Sequence, residues 1–215
     1  MRNIKNQFLA LLICTVAFSA EDIAPEKFNG FNITSIEKQI RYNNPGYELK
    51  QIVNDGISYT KLEMNDAGSI SEPGQPYLPT VSTFYAVEPG KAFSVQFTIE
   101  QTQTYENVDI LPFNNWDNDP AGHGVEGEIY SQDALFPENI AAVSEPIIFR
   151  DIAMVQVSIT PFQYNPVTKI LTVIEDLEIE LIENGIAEMP FVPEKRSRAF
   201  ESLYESLIIN YSSLN

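Results

Sequence analysis

A chain of 215 residues with 44% hydrophobic and 20% charged side chains is long enough to bury a core without disulfides or metal, and its composition is globular rather than disordered. Thirty acidic residues against 13 basic ones leave a formal net charge of −17. No basic stripe interrupts that balance, which argues against partners held through phosphate groups, whether nucleic acid or an anionic membrane surface.

The N-terminus, "MRNIKNQFLALLICTVAFSAED", carries Arg2 and Lys5, then an apolar run from residue 8 to 18, then small residues and acids. This is the layout of a secretory signal peptide over residues 1–20, cleaved after Ser19 or Ala20, and the run is short for a membrane span. Cys14 follows Ile13 rather than a small residue, which fits a lipidation site poorly. Removal of residues 1–20 leaves 11 basic against 30 acidic residues and takes away the only cysteine. The exported chain then has no disulfide, no thiolate nucleophile and no cysteine metal ligand. No second stretch is apolar enough to span a bilayer, so a periplasmic or extracellular protein without a membrane anchor is expected.

Residues 21–194 read as one β-rich domain. Short apolar pieces flank "RYNNPG", a strong turn signal. In "SISEPGQPYLP", Pro73, Pro76 and Pro79 recur at every third residue, which favours an extended polyproline ribbon, read as a structural edge leading into a core strand. "FSVQFTI" alternates Phe93, Val95, Phe97 and Ile99 with polar residues, so those four are expected to face the core. "MVQVSI" and "LEIELI" repeat the alternation, with Val155, Val157 and Ile159, then Leu177, Ile179 and Leu181, and "YNPVTKILTV" reads as a hairpin turn with a returning strand. Short antiparallel strands joined by Gly, Pro and Asn turns predict an all-β fold, a two-layer sandwich or open barrel.

Residues 113–132, "FNNWDNDPAGHGVEGEIYSQ", form a long polar, acidic, glycine-rich interruption of the kind that is either functional or disordered. Residues 195–215 begin with a basic linker and continue into an amphipathic helix. There Phe200, Leu203, Tyr204, Leu207 and Ile208 recur at helical spacing, Ser197 is a candidate N-cap, and Glu201 and Glu205 lie on the wet side.

No catalytic constellation emerges. The single histidine, His123, sits between glycines with no GxSxG element elsewhere, and the many acids single out no glycosidase pair. Asp117, Asp119, Glu126 and Glu128 offer oxygen ligands for calcium but lack the register of an EF-hand loop. "PGQPYLP" matches a PxxP ligand, although a packed edge suits its surroundings better. Asn32 and Asn210 match the glycosylation sequon, which matters only in a eukaryotic secretory route. The residues alone therefore predict no catalytic, metal or cofactor site.

Four elements in order, "GYELKQI", "SEPGQPYLPTVSTFYAVEPGKAFSVQF", "DIAMVQVSITPFQYNPVTKILTVIEDLEIEL" and "SRAFESLYESLIINY", resemble the N-terminal propeptide of gingipain-type cysteine peptidases. Gly74, Pro76, Leu78 and Pro79 match that family's GxPxLP element, with Gly90 in the following turn. Pro161, Tyr164, Asn165 and Pro166 match its PxQYNP hairpin, and Asn210 with Tyr211 match the propeptide end. The resemblance implies a secreted zymogen segment, not an enzyme in itself and without cofactor. Its partner is the cognate cysteine peptidase domain, expected after residue 215, which it helps to fold and inhibits by occupying the active-site cleft until proteolysis removes it. Trp116, Asp117, Asp119 and His123 are the candidate cleft loop. Arginine- or lysine-specific members imply a basic insert, yet residues 113–132 hold neither Lys nor Arg, so either another segment enters the cleft or the specificity differs. The alternative is a secreted adhesion or carbohydrate-binding β-sandwich, for which exposed Trp116 and Tyr130 are the relevant features.

Overall fold

The computed structural model describes residues 32–36, 38–54, 56–114, 124–188 and 200–214. The expected leader, the loop residues Trp116, Asp117, Asp119 and His123, the cap Ser197 and the basic stretch 195–198 lie outside them. In chain order the first strands are β1 (Asn32–Ile36), β2 (Gln39–Asn43), β3 (Glu48–Asn54), β4 (Ile57–Glu63), β5 (Gly68–Ser69) and β6 (Pro79–Ala86). Then come β7 (Lys91–Tyr105), β8 (Ala141–Val143), β9 (Ile147–Phe149), β10 (Ile152–Ile159), β11 (Phe162–Asn165) and β12 (Ile170–Ile186), followed by one helix, α1 (Glu201–Leu207).

Two antiparallel sheets enclose the core, as the alternating strands predict. The first runs β1-β2-β12, with β11 beside the start of β12 and β7 along the whole opposite edge of β12. The second runs β5-β6-β10-β8, with β9 pairing the start of β10. A separate hairpin, β3–β4, stands beside them. Ile40, Tyr42, Phe162, Leu171, Leu177 and Ile179 of the first sheet meet Val81, Val155, Val157 and Ile159 of the second, all buried. No helix of the described residues is long and apolar enough to cross a membrane.

Not all strands are short. β7 has 15 residues and β12 has 17. Their ladder is irregular at its middle: Ile174 pairs Thr102, Asp176 pairs Gln101 and Leu177 pairs Ile99, so Glu175 is extra on one strand and Glu100 on the other. The two bulges cancel, and the inward alternation that holds for Leu171 and Val173 resumes at Leu177, Ile179 and Leu181.

Two local expectations differ from what is seen. Phe93 and Val95 pack against the core, whereas Phe97 and Ile99 remain 37% and 39% exposed although their cross-strand partners Ile179 and Leu177 are fully buried. Among the described residues β7 pairs with β12 alone, and side chains on a sheet's last strand have a neighbour on one side only.

The predicted C-terminal helix is also shorter. α1 ends at Leu207, Ile208 turns extended (φ −110°, ψ 111°), and a single 3-10 turn covers Tyr211–Leu214. Tyr204 and Ile208 are buried, but Leu203 and Leu207 are 38% and 37% exposed. The reason is tertiary: Ile208 bridges Phe84 of β6, and Ile209 donates its N–H to the Phe84 carbonyl at 3.0 Å, which draws the chain out of the helix onto a strand edge. The platform beneath, Ala86, Ile152 and Met154 on the outer face of the second sheet, is too narrow to cover a wider helical stripe.

Glu175, expelled from the ladder by the bulge, stays half-buried, and its charge adds to the burial that pushes the Tyr42 and Tyr47 hydroxyls up. Burial raises its carboxyl above the ordinary value of 4.5. The Tyr42 hydroxyl is buried with no hydrogen-bond partner among the described residues. Between 4.5 and the raised value the native state binds more protons than the unfolded chain, so stability falls as pH rises through that window. Glu175→Gln is expected to raise the urea midpoint at neutral pH, with the advantage vanishing below 4.5; a midpoint difference independent of pH would contradict this.

Candidate functional site

The stretch with repeated prolines is a turn before it is a ribbon. Gln75 donates its N–H to the Glu72 carbonyl at 2.9 Å, and Gly74 between them has φ of +88°. Proline at the second position and a positive-φ glycine at the third are the requirements of a type II turn. The continuous polyproline conformation expected from the threefold spacing is therefore broken at Gly74, because spacing does not report a left-handed residue. After the turn Pro76 bridges Pro112, Leu78 is buried, and Pro79 opens β6 opposite Ser69. The segment does lead into a core strand.

Its other role is to hold both ends of the candidate loop. The incoming leg, residues 108–114, lies between β4 and the 74–77 segment. Thr60 donates to the Asp109 carbonyl at 2.6 Å and accepts from Leu111 at 3.0 Å, while Tyr77 donates to Leu111 at 2.8 Å and Phe113 to Gln75 at 2.7 Å. The Gly74 N–H donates to the Phe113 carbonyl at 3.1 Å. On its other side the Gly74 carbonyl accepts from Gly127 at 2.9 Å, in the outgoing leg. The two legs also touch directly: a Cβ on Gly124 would sit 2.4 Å from the Phe113 carbonyl oxygen and 2.5 Å from that of Pro112. Residues 124–127 have no regular secondary structure, as expected of an irregular stretch, and lead into a 3-10 turn at Glu128–Ser131.

Tyrosines fix this base from below. The Tyr164 hydroxyl donates to the Val108 carbonyl at 3.0 Å, that of Tyr130 to Ile110 at 2.8 Å, and that of Tyr59 to Glu126 at 2.9 Å. Burial pushes Tyr164 up to about 12 and Tyr130 further still, so both are neutral donors throughout the physiological range. Lys169 anchors the start of the incoming leg, its ammonium 2.9 Å from Asp109 and its carbonyl accepting from Val108 at 3.0 Å. The hairpin tip joins in through Asn54, whose amide nitrogen lies 3.5 Å from the Gly124 carbonyl. Beside this contact Ile57 and Val125 are 55% and 82% exposed.

The other motif residues are structural. Gly90, at φ +81°, makes the turn into β7. The Pro161 carbonyl accepts from Ile174 at 2.9 Å, and Asn165 caps the β11–β12 turn by accepting from Val167 and Thr168 at 3.0 and 3.2 Å, with Pro166 buried in that turn. Asn210 and Tyr211 lie apart from the loop, against β6 and the outer face of the second sheet. The Asn210 amide is buried and bonded to Ala86 through both Oδ1 and Nδ2, which keeps it from serving as a glycan acceptor in the folded chain. Tyr130, considered as an exposed sugar platform, is instead half-buried with its hydroxyl turned inward. Sequence reasoning missed the roles of Gly124 and Gly127. The glycine-rich composition was the only signal, and it does not say which backbone each glycine must approach.

A Cβ on Gly127 would lie 2.8 Å from the Gly74 carbonyl oxygen, so Gly127→Ala must part the outgoing leg from the turn. The expected cost is about 1–3 kcal/mol, read as a lower melting temperature with faster amide exchange at residue 127. Gly68→Ala, whose Cβ would meet nothing closer than 4.0 Å, is expected to stay within about 0.5 kcal/mol of the parent; equal effects would refute the close-approach argument.

Comparison with known proteins bears on this arrangement. A family model for Propeptide_C25 matches residues 32–214. Gingipain R2 of Porphyromonas gingivalis is 32% identical over 152 residues, covering 67% of this chain and 21% of the relative. Gingipain R1 of the same organism is 26% identical over 226 aligned positions, covering 98% and 22%. The chain thus spans about a fifth of the length of these curated relatives. Among solved structures, a complex of Porphyromonas gingivalis RgpB pro- and mature domains superposes with a TM-score of 0.75 at 25% identity, over 85% of this chain and 97% of that one. A structure concerned with the zymogenic latency of gingipain K from Porphyromonas gingivalis shares the fold, with a TM-score of 0.57 at 21% identity over 75% and 96%. The chain belongs to the Propeptide_C25 family and is a gingipain-type propeptide domain.

Proposed function

We propose that this chain, exported through the leader at residues 1–20, helps its cognate cysteine peptidase to fold and keeps it inactive by laying the loop at residues 115–123 in the active-site cleft until proteolysis removes the propeptide. The observation that carries this reading is the clamp at Gly74, whose N–H and carbonyl hold the two legs of that loop at once. A segment that occupies a peptidase cleft must bind without relaxing into the geometry of a substrate. A base closed on both sides keeps the loop ends together and lowers the entropy lost on binding. The likeness to a pro-domain solved in complex with its mature domains supports the same partner class.

The loop carries Asp117 and Asp119 and neither Lys nor Arg, so on this reading the pocket it enters is not one selected for a basic side chain. Replacing residues 115–123 by glycine and serine is expected to weaken inhibition of the cognate peptidase by roughly 100-fold. The melting temperature should be unchanged, because the contacts at Gly74, Phe113 and Gly127 remain. Undiminished inhibition by the replaced chain would refute the cleft assignment.

A further inference from the structure

We infer that residues 200–214 are a docked ligand of the sandwich, held by non-covalent contacts strongly enough to stay bound when the chain is cut between residues 188 and 200. The segment is tied to the sandwich by both polar and aromatic contacts. The Asn210 side chain copies a strand: its Oδ1 accepts from the Ala86 N–H at 2.8 Å and its Nδ2 donates to the Ala86 carbonyl at 3.0 Å, both in a buried setting. Ile209 adds a backbone bond to Phe84 at 3.0 Å, so three bonds line the edge of β6 that β10 leaves open. Tyr204, fully buried, meets Phe149 edge-on at 6.2 Å and Tyr211 at 5.7 Å, and its hydroxyl donates to Asp151. The Arg150 guanidinium lies 3.7 Å over the Phe200 ring. Polar bonds at one end and an aromatic cluster at the other fix the position and the direction of the segment.

The edge it covers explains why the segment holds. Without Asn210 the N–H and carbonyl of Ala86 would be buried and unpaired, and β6 would present an open edge beside the apolar side chains of Ile152 and Met154. The stretch between residues 188 and 200 contains Lys195, Arg196 and Arg198, so a trypsin-like cut there is chemically available. Such a cut changes the covalent chain and leaves the docking contacts intact. On the function proposed above, a peptidase continuing from the docked segment would remain tied to its inhibitor after that cut, and release would require a cut beyond the segment or its undocking.

The test uses the full chain with a site-specific protease sequence, flanked by glycine and serine, inserted between Pro193 and Glu194. After cutting, gel filtration under native conditions is expected to give one particle containing both fragments; separation into two species would overturn the inference. Asn210→Ala in the cut chain should speed loss of the C-terminal fragment on the order of thirtyfold, and an unchanged rate would overturn the role given to the amide. If Asn210→Ala does not fold uncut, Tyr204→Phe, which keeps the ring and removes the hydroxyl that reaches Asp151, should speed loss roughly fivefold. No change there would count against the docked-ligand assignment. Neither arm reads peptidase inhibition, so failure here is distinguishable from failure of the cleft assignment.

Discussion

β12 is hydrogen-bonded along both edges, to β2 and β11 on one side and to β7 on the other, and the first sheet is built around it. Leu177, Ile179 and Leu181 point inward with Glu178 and Glu180 between them. A slip of one residue would carry the acids into the core and the aliphatic side chains into water, so burial specifies the register strongly. The paired bulges at Glu175 and Glu100 are tolerated because they cancel: each strand gains one residue, and the inward set resumes in phase.

The loop base inherits its position from that strand. The turn entering β12 holds Val108 and Asp109 through Lys169, and β11 beside it supplies the Tyr164 hydroxyl to the same leg. The turn at Gly74 closes the base from the opposite side. Three glycines meet there because backbone must approach backbone: Gly74 adopts a positive φ, while Gly124 and Gly127 leave no room for a Cβ. The described residues on either side of the segment proposed to enter the cleft, Phe113 and Gly124, are thus held in place by contacts from distant parts of the chain.

The C-terminal segment rests mainly on a second cluster, on the outer face of the second sheet, whose buried residues are distinct from those of the main core, while Ile209 of the same segment packs against the main core. β10 serves both, sending Val155, Val157 and Ile159 inward and Ile152 and Met154 outward. A strand covered on both faces at one end only is what joins the two structural tasks.

Period-two alternation in "MVQVSI" and "LEIELI", and the asparagine-proline turn between β11 and β12, were legible from the sequence by itself. These signals are local, since side-chain direction in a strand and turn geometry depend on residues a few positions apart. The ordered motifs likewise sufficed for family membership, because they need no coordinates. What only the tertiary structure decided are the contacts between segments distant in the chain. Gly74 bonds to Phe113 and Gly127, Asn210 pairs with Ala86, Phe97 and Ile99 are left at a sheet edge, and the helix stops at Leu207 because β6 recruits the residues after it. In each case the deciding partner lies far away in sequence, and neither composition nor periodicity carries information about which distant backbone a residue will meet.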